Sequence, residues 1–169
     1  TWRVKKGFQL ELNLDKMKKA LGDEYVVLLR LHYFVSSSIN VDKYKGFVYD
    51  LSSHNDIQEL YLLADILITD YSSVMFDYAN LNRPILFFTY DLEAYRDNLR
   101  GLYIDFEAEA PGPLLRDTDE VIKAITEIDR VQAEYMLKFE RFKEKFCQFD
   151  KGNATQLVIE QMLNHKKAN

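Results

Sequence analysis

Residues 66–78 constrain the fold of this 169-residue chain more than any other stretch. An apolar run at 66–69 is followed by Asp70, by the pair Ser72 and Ser73, and then by a helical pattern. This order predicts a buried strand, a tight polar turn and a helix capped by one of the two serines. Such a cap directs backbone N–H groups and the positive end of the helix dipole at the carboxyl edge of a sheet. The first hypothesis is therefore a phosphate site.

The composition indicates one globular unit. With 47% hydrophobic residues the chain can bury a substantial core, and the formal net charge of −5 disfavours a nucleic-acid-binding surface while permitting a nucleotide ligand. Cys147 is the single cysteine, so a reducing, cytosolic compartment is expected. No run approaches the ~18 apolar residues of a membrane span. The sequence begins with Thr1 and not with a methionine, so we expect this chain to be a piece of a longer protein.

Strand and helix patterns alternate along the chain, and helical patterns alone follow. Strands are predicted at 1–4, 25–32, 47–50, 66–69, 85–88 and 103–106, and helices at 9–21, 57–63, 73–80, 119–128, 130–146 and 153–165. This alternation predicts an α/β fold with a doubly wound, Rossmann-like parallel sheet in a single domain, 1–169. The run at 25–32 fits a central strand buried on both faces, and the terminal helices are expected to pack on the sheet.

Ligands of such folds bind outside the carboxyl ends of the strands, so the residues that end the strands are the candidates. Serine hydroxyls and helix N–H groups suit phosphate oxygens, arginine offers a bidentate fork, and histidine donates a hydrogen bond or a proton near neutral pH. From these residues alone, the sequence predicts an anion or nucleotide site. The candidates are Arg3, Arg30, His32, Asp50, Ser52, Ser53, Asp70, Ser72 and Ser73.

Each candidate also has a purely structural interpretation. Ser72 and Ser73 can simply cap a helix, His32 can be a hydrogen-bonded histidine at a strand end, and Arg3 can be a solvated charge. Asp77 can simply complement the helix dipole. The sequence has no glycine-rich phosphate loop and no Cys/His metal cluster, so no metal and no cofactor are predicted.

At residues 69–78, T-D-Y-S-S-V-M-F-D-Y, followed by R-P-I-L-F at 83–87, the sequence resembles the signature of the CDP-glycerol glycerophosphotransferases. This family contains the bacterial teichoic acid primases and polymerases. Three further segments resemble family elements in the same order: T-W-R at 1–3, R-L-H at 30–32 and F-D-K-G-N-A at 149–154.

The resemblance implies the C-terminal half of a GT-B transferase, in which two Rossmann-like domains face each other across a cleft. This half would bind CDP-glycerol or CDP-ribitol. The implied reaction transfers glycerol phosphate to a membrane-linked glycerol-phosphate chain and releases CMP. The enzyme would lie at the cytoplasmic face of the membrane, with the general base in an N-terminal domain outside this sequence.

By matching position, the resemblance also implies site roles. His32 would contact the donor phosphates and assist the leaving group. The substrate-binding residues would be Arg3, Arg30, Ser72, Ser73, Asp77, Asp150, Gly152 and Asn153, the last three capping the final helix near the same pocket.

Two other functions remain open from the sequence. One is a nucleotide-sugar glycosyltransferase of the same architecture. The other is a flavodoxin-like receiver or interaction domain, although that class needs paired carboxylates for magnesium and a downstream lysine, which do not occur here in the right order.

Overall fold

The structure is a computed structural model that describes residues 10–31, 40–94 and 105–167. The strand predicted at 1–4 and the site residues Arg3 and His32 lie outside the described residues. The described strands are β1 (Val27–Leu29), β2 (Val48–Asp50), β3 (Leu67–Thr69), β4 (Ile85–Phe88) and β5 (Leu114–Leu115). The helices are α1 (Leu14–Leu21), α2 (Ile57–Leu63), α3 (Val74–Ala79), α4 (Leu92–Ala94), α5 (Phe106–Glu109), α6 (Thr118–Thr126), α7 (Ile128–Phe146) and α8 (Ala154–Lys167).

The described strands form two parallel sheets. In the first, β1 pairs with β2 and Leu28 lies opposite Tyr49. In the second, β4 lies between β3 and β5, and Ile68 lies opposite Leu86. Parallel strands joined through helices define the α/β class, so the predicted fold class is confirmed. The backbone hydrogen bonds among the described strands are divided between two sheets rather than forming one continuous ladder.

Successive side chains of β4 enter two hydrophobic cores on opposite faces of its sheet. Leu86 packs in the core that contains the buried residues of α1 and α6. Ile85 and Phe87 pack in the core that contains α3 and Phe142 of α7. Because neighbouring side chains of a strand point to opposite faces, helices cover both faces of this sheet, as the doubly wound prediction requires.

Capping side chains decide where two helices begin. The Asp56 carboxylate accepts a backbone hydrogen bond from the first turn of α2, and α2 has the predicted bounds. α1 begins later than predicted, with Asn13 as its N-cap. The Asn13 side chain accepts from the Lys16 N–H at 3.0 Å, and the Asn13 N–H donates to the Thr118 hydroxyl at 2.9 Å. A tertiary contact therefore helps to place the start of α1.

Two strand predictions are wrong in part. The run at 25–32 contains only the short, half-buried β1, and Val26 is 55% exposed, so this strand is not buried on both faces. Among the described strands, β1 has a partner on one side only. Phe106 begins α5 instead of ending a strand, because the Asp105 carboxylate accepts the Ala108 N–H at 3.1 Å and caps a helical turn.

The two terminal helices differ in their packing. α7 buries Val131 in one core and Phe142 in the other. The described side chains of α8, by contrast, are exposed, including Met162 at 64%. The predicted packing on the sheet is confirmed for α7. It is wrong for α8, because no apolar surface of the described residues covers the side chains of α8.

Candidate functional site

Polar loops follow the carboxyl ends of β1 to β4. We call these loops the rim and define it as residues 30–31, 50–56, 70–73 and 89–91. Parallel strands present their carboxyl ends at one edge of their sheet, so the loops after β1 and β2 lie at the edge of one sheet and the loops after β3 and β4 at the edge of the other. α/β proteins bind ligands at such edges. The rim contains the described candidates that the sequence placed at strand ends.

Hydrogen bonds tie the end of β1 to the loop after β2. An Nη of Arg30 donates to the backbone oxygen of His54 at 2.6 Å, and the Leu31 N–H donates to the Ser52 hydroxyl at 3.0 Å. The Ser52 N–H in turn donates to Asp50 at 2.9 Å. The Arg30 side chain is exposed and has five N–H groups, which is more than its bond to His54 requires. Arg30 is thus held at the rim by its one described bond.

An open cleft of about 440 Å³ lies against the same loop. Its lining includes Asp50, Asp56 and Glu59, together with His54. Nε2 of His54 and Oε2 of Glu59 are 2.8 Å apart. His54 was not among the candidates predicted at the strand ends, although its position between a strand end and the capping Asp56 is a detectable signal. One imidazole and three carboxylates therefore line this cleft, and among them His54 and Glu59 are in contact.

The turn at 70–73 differs from the prediction in one respect. Ser73 occupies the N-cap position of α3, but its hydroxyl makes no capping hydrogen bond. The backbone of Ser73 already has helical angles, φ −63° and ψ −10°, whereas a capping side chain normally projects from extended backbone. Backbone bonds close the turn instead, with the Phe76 N–H donating to the Ser73 oxygen at 3.1 Å. The predicted cap position is confirmed, and the predicted side-chain cap is wrong.

Tyr71 attaches this turn to the loop after β4. Its hydroxyl donates to Oδ1 of Asp91 at 3.1 Å, and its ring packs edge-on against Phe106 with centroids 5.6 Å apart. Burial, and next the negative charge of Asp91, raise the pKa of Tyr71 well above its usual range. The phenol therefore stays neutral and donates a hydrogen bond at physiological pH. The sequence motif contained Tyr71, but nothing in the sequence identified Asp91 as its partner.

Asp150 lies against the opposite end of α3 from the serine pair. The Asn80 amide, at the C-cap of α3, donates to Oδ2 of Asp150 at 3.3 Å. Gly152 has φ +76°, which favours glycine, and Asn153 precedes α8 and accepts the Leu157 N–H at 3.1 Å through its backbone oxygen. Six helical residues, about 9 Å at 1.5 Å per residue, separate the two ends of α3. The described contacts of Asp150 thus do not join it to Ser72 or Ser73.

The described ranges contain no group of three or more His, Cys, Asp or Glu residues placed to hold a metal ion. None of the helices in those ranges combines the length and apolar character needed to cross a membrane. Cys147 is buried, and its thiol donates to the backbone oxygen of Phe76 at 3.5 Å. Burial, followed by the nearby Asp150, raises the pKa of this thiol, so the thiolate is disfavoured.

Parallel strands, helices on both faces and polar loops at the strand ends define a doubly wound α/β domain, and the carboxyl ends of the strands are where this class of domain binds its ligands. The sequence of residues 1–164 matches the family model described as CDP-Glycerol:Poly(glycerophosphate) glycerophosphotransferase. The chain belongs to this family.

Two proteins with similar sequences are teichoic acid poly(glycerol phosphate) polymerases. The chain is 51% identical over 156 residues to a teichoic acid poly(glycerol phosphate) polymerase of Bacillus spizizenii, covering 92% of the chain and 39% of that protein. It is 49% identical over 152 residues to the Bacillus subtilis protein of the same name, covering 90% of the chain and 20% of that protein. The chain thus spans well under half the length of both relatives.

A solved structure has the same fold. The wall teichoic acid polymerase TagF superposes with a TM-score of 0.83 at 42% identity, over 95% of this chain and 40% of that one. A variant of that polymerase with CDPG superposes with a TM-score of 0.82, over 94% of this chain and 40% of that one. The chain shares the GT-B-like fold of TagF over its matched part.

Proposed function

We propose that this chain is the donor-binding domain of an enzyme that transfers glycerol phosphate from CDP-glycerol to a poly(glycerol phosphate) chain. Membership of the family supports this function. The observation that carries it is the Ser73 hydroxyl, which lies at the rim and is not used to cap α3. A hydroxyl, backbone N–H groups and the exposed Arg30 are the groups that bind phosphate oxygens.

The proposed reaction makes one bond and breaks one. The terminal hydroxyl oxygen of the acceptor bonds to the phosphorus that carries glycerol, and the P–O bond to CMP breaks. CMP leaves with the electron pair, and the acceptor proton passes to a general base. Positive groups and N–H donors that face the departing phosphate stabilise the charge where it develops.

We assign roles to the site residues on the family match. His32 contacts the donor phosphates and assists the leaving CMP. Arg30, Ser72, Ser73 and Asp77 form the pocket for the nucleotide diphosphate. The remaining substrate-binding residues are Arg3, Asp150, Gly152 and Asn153.

The rest of the enzyme is also part of the proposal. Residues 1–169 form one Rossmann-like domain of a longer protein, and the general base and the acceptor site lie in an N-terminal domain. The acceptor is lipid-linked, so the full enzyme works at the cytoplasmic face of the membrane as a peripheral protein. CDP-ribitol is the alternative donor.

A titration of the chain tests donor binding. CDP-glycerol and CMP are expected to shift the amide resonances of residues 30–31 and 70–77, whereas a nucleotide-sugar glycosyltransferase would prefer UDP-glucose or GDP-mannose. Asp77→Asn is expected to weaken CDP-glycerol binding. Asp129→Asn is the matched control, because Asp129 is likewise an exposed aspartate in the first turn of a helix. Unchanged spectra at millimolar CDP-glycerol would refute the donor site.

A chimera tests the transfer reaction. This chain replaces the matched segment of the Bacillus spizizenii polymerase, and polymer formation from CDP-glycerol is measured. Activity is expected to persist in the chimera and to fall by about 10²-fold or more with His32→Ala, the range for loss of a proton-transferring group. A His32→Ala chimera as active as the parent would contradict the assigned role of His32.

A further inference from the structure

A side chain of the loop after β2 replaces a backbone acceptor where β1 ends. The Leu51 N–H donates to the Leu29 oxygen at 2.8 Å and continues the parallel pairing of the two strands. In the regular pattern of a parallel pair, the Leu31 N–H would next donate to the Leu51 oxygen. It donates instead to the Ser52 hydroxyl at 3.0 Å, and the Leu51 oxygen accepts the His54 N–H, also at 3.0 Å. The Ser52 hydroxyl thus extends the pairing of the two chains by one bond.

Ser52 is itself held in place. Its N–H donates to Oδ1 of Asp50 at 2.9 Å, in a turn where an aspartate side chain accepts from the residue two positions on. The Ser52 residue is half-buried, so its bond to Leu31 is partly shielded from water. Without the hydroxyl, the Leu31 N–H loses this acceptor. Ser52 is therefore a fixed acceptor for the peptide group that joins Arg30 to Leu31.

The same loop binds the far end of the Arg30 side chain. Nη1 of Arg30 donates to the backbone oxygen of His54 at 2.6 Å. His54 is held through its N–H, which is bonded to Leu51, and through its ring, whose Nε2 is 2.8 Å from Oε2 of Glu59 in α2. Residues 52–54 therefore hold Arg30 at both ends, at the peptide group that follows it and at its guanidinium.

A guanidinium that is held in this way suits a phosphate. Arginine has five N–H groups, and the described bond of Arg30 uses one of them. The other N–H groups lie in the same plane and can bond two oxygens of one phosphate. The Arg30 side chain is exposed at the rim, so a ligand can reach it. A long side chain that is fixed before binding loses less conformational entropy when the ligand binds.

We propose that Ser52 is a positioning residue for donor binding. Its hydroxyl ties the loop after β2 to the backbone at 30–31, which keeps the His54 oxygen within reach of Arg30 and directs the guanidinium to a phosphate of the CDP-alditol. This inference rests on the proposed donor-binding function. Ser52 was among the candidates predicted at the strand ends, and in the structure its hydroxyl accepts a hydrogen bond from the chain itself. Ser52 therefore acts on the ligand through Arg30.

Ser52→Ala and Ser52→Thr in the full chain test the hydroxyl, with Thr126→Val as the matched control. Thr126 lies outside the rim, and its hydroxyl likewise bonds a backbone group, the Ile122 oxygen at 2.9 Å. Ser52→Ala is expected to raise the Kd for CDP-glycerol about tenfold, because Arg30 is no longer fixed; the titration follows the amide resonances of residues 70–77. Ser52→Thr keeps a hydroxyl and should bind within about twofold of the wild type. Thr126→Val should leave the Kd unchanged.

A double-mutant cycle separates positioning from a role in stability. With Arg30→Ala already present, Ser52→Ala is expected to cost no further affinity, because the group that Ser52 positions is gone. A purely structural role of Ser52 would weaken binding equally in both backgrounds. That result, or a Ser52→Ala variant that binds CDP-glycerol as the wild type does, overturns the inference and leaves the proposed function intact. A wild-type chain that does not bind CDP-glycerol overturns the proposed function and this inference with it.

The guanidinium resonances of Arg30 give a second measurement that needs no change at Ser52. In the ligand-free wild type they are expected to be resolved, as for a hydrogen-bonded group, and CDP-glycerol is expected to shift them. Arg130→Ala gives a matched control spectrum, because it removes an exposed arginine outside the rim. Arg30 resonances averaged by free rotation, or unmoved by a CDP-glycerol concentration that shifts residues 70–77, would overturn the inference.

Discussion

The hydroxyl of Tyr71 donates a hydrogen bond to Oδ1 of Asp91 at 3.1 Å and so joins the loop after β3 to the loop after β4. Tyr71 is half-buried and packs on Phe106 of α5. The turn that carries Ser72 and Ser73 is therefore attached to its surroundings by a side-chain bond as well as by the backbone. Its geometry depends on two neighbouring strands and not on β3 alone.

Loss of the Tyr71 hydroxyl is expected to destabilise the chain and loosen the serine turn. Tyr71→Phe should lower the free energy of unfolding by about 1 kcal/mol, the usual net value of a hydrogen bond, measured by urea denaturation. Tyr49→Phe is the control, because Tyr49 is 48% exposed, and it should change the free energy by less than about 0.5 kcal/mol. Equal effects of the two variants would show that the bond to Asp91 contributes nothing.

Arg83 is expected to stabilise the C-terminal end of α2. Its Nη1 donates to the backbone oxygens of Leu62 at 2.8 Å and Ala64 at 2.6 Å, which the helix leaves unpaired. Arg83→Ala should cost about 1–3 kcal/mol in the free energy of unfolding, because these carbonyls lose a charged donor. Arg130→Ala, which removes an exposed arginine paired with Glu127, should cost less than about 1 kcal/mol. Denaturation midpoints that coincide for the two variants would refute the capping role.

Gly112 is expected to tolerate no side chain. A Cβ at this position would lie 1.8 Å from the backbone oxygen of Ile85, and backbone cannot move aside as a flexible side chain can. Gly46 has φ +84° but open space around it, so Gly46→Ala should cost only about 1 kcal/mol of backbone strain. Gly112→Ala should cost several times more, or give insoluble protein, as judged by soluble yield and thermal melts. Equal melting temperatures would contradict the close approach of Gly112 to β4.

Stability is expected to fall between pH 10 and pH 12 in part because of Tyr78. Burial raises the pKa of Tyr78 to about 12 in the folded chain, from about 10 in the unfolded one. In this window the folded state keeps the phenol proton and the unfolded state loses it, so the free energy of unfolding decreases by up to about 1.4 kcal/mol per pH unit. The free energy of unfolding, measured from pH 9 to pH 11, should fall less steeply with pH for Tyr78→Phe than for the wild type. Parallel curves for the variant and the wild type would contradict the raised pKa.

Short-range signals predicted much of the fold. Asp56 caps α2, and its effect extends over one turn, so the sequence predicted the bounds of α2 correctly. The apolar run at 85–88 became β4 with the predicted bounds, and its central place in a sheet agrees with its buried side chains. Within the candidate site, the order of strand, serine turn and helix at 66–80 was likewise predicted, because strand and helix patterns and turn residues act over a few positions.

Long-range contacts produced the differences between the predicted and the observed elements. β5 was not predicted, because the two leucines Leu114 and Leu115 form a strand only by pairing with β4. The start of α1 depends on a bond from Asn13 to Thr118, 105 residues away in the sequence. The apolar pattern of α8 predicted packing that the described residues do not provide.

By itself, the sequence determined the α/β class, the order of the elements and the place of the serine turn, because these follow from patterns of neighbouring residues. Only the tertiary structure decided which polar groups are paired. It left the Ser73 hydroxyl out of the helix cap, bound Tyr71 to Asp91, and left the Tyr61 hydroxyl without a partner among the described residues. Hydrogen-bond pairing in a core depends on which distant segments come together, and no local pattern of residues contains that information.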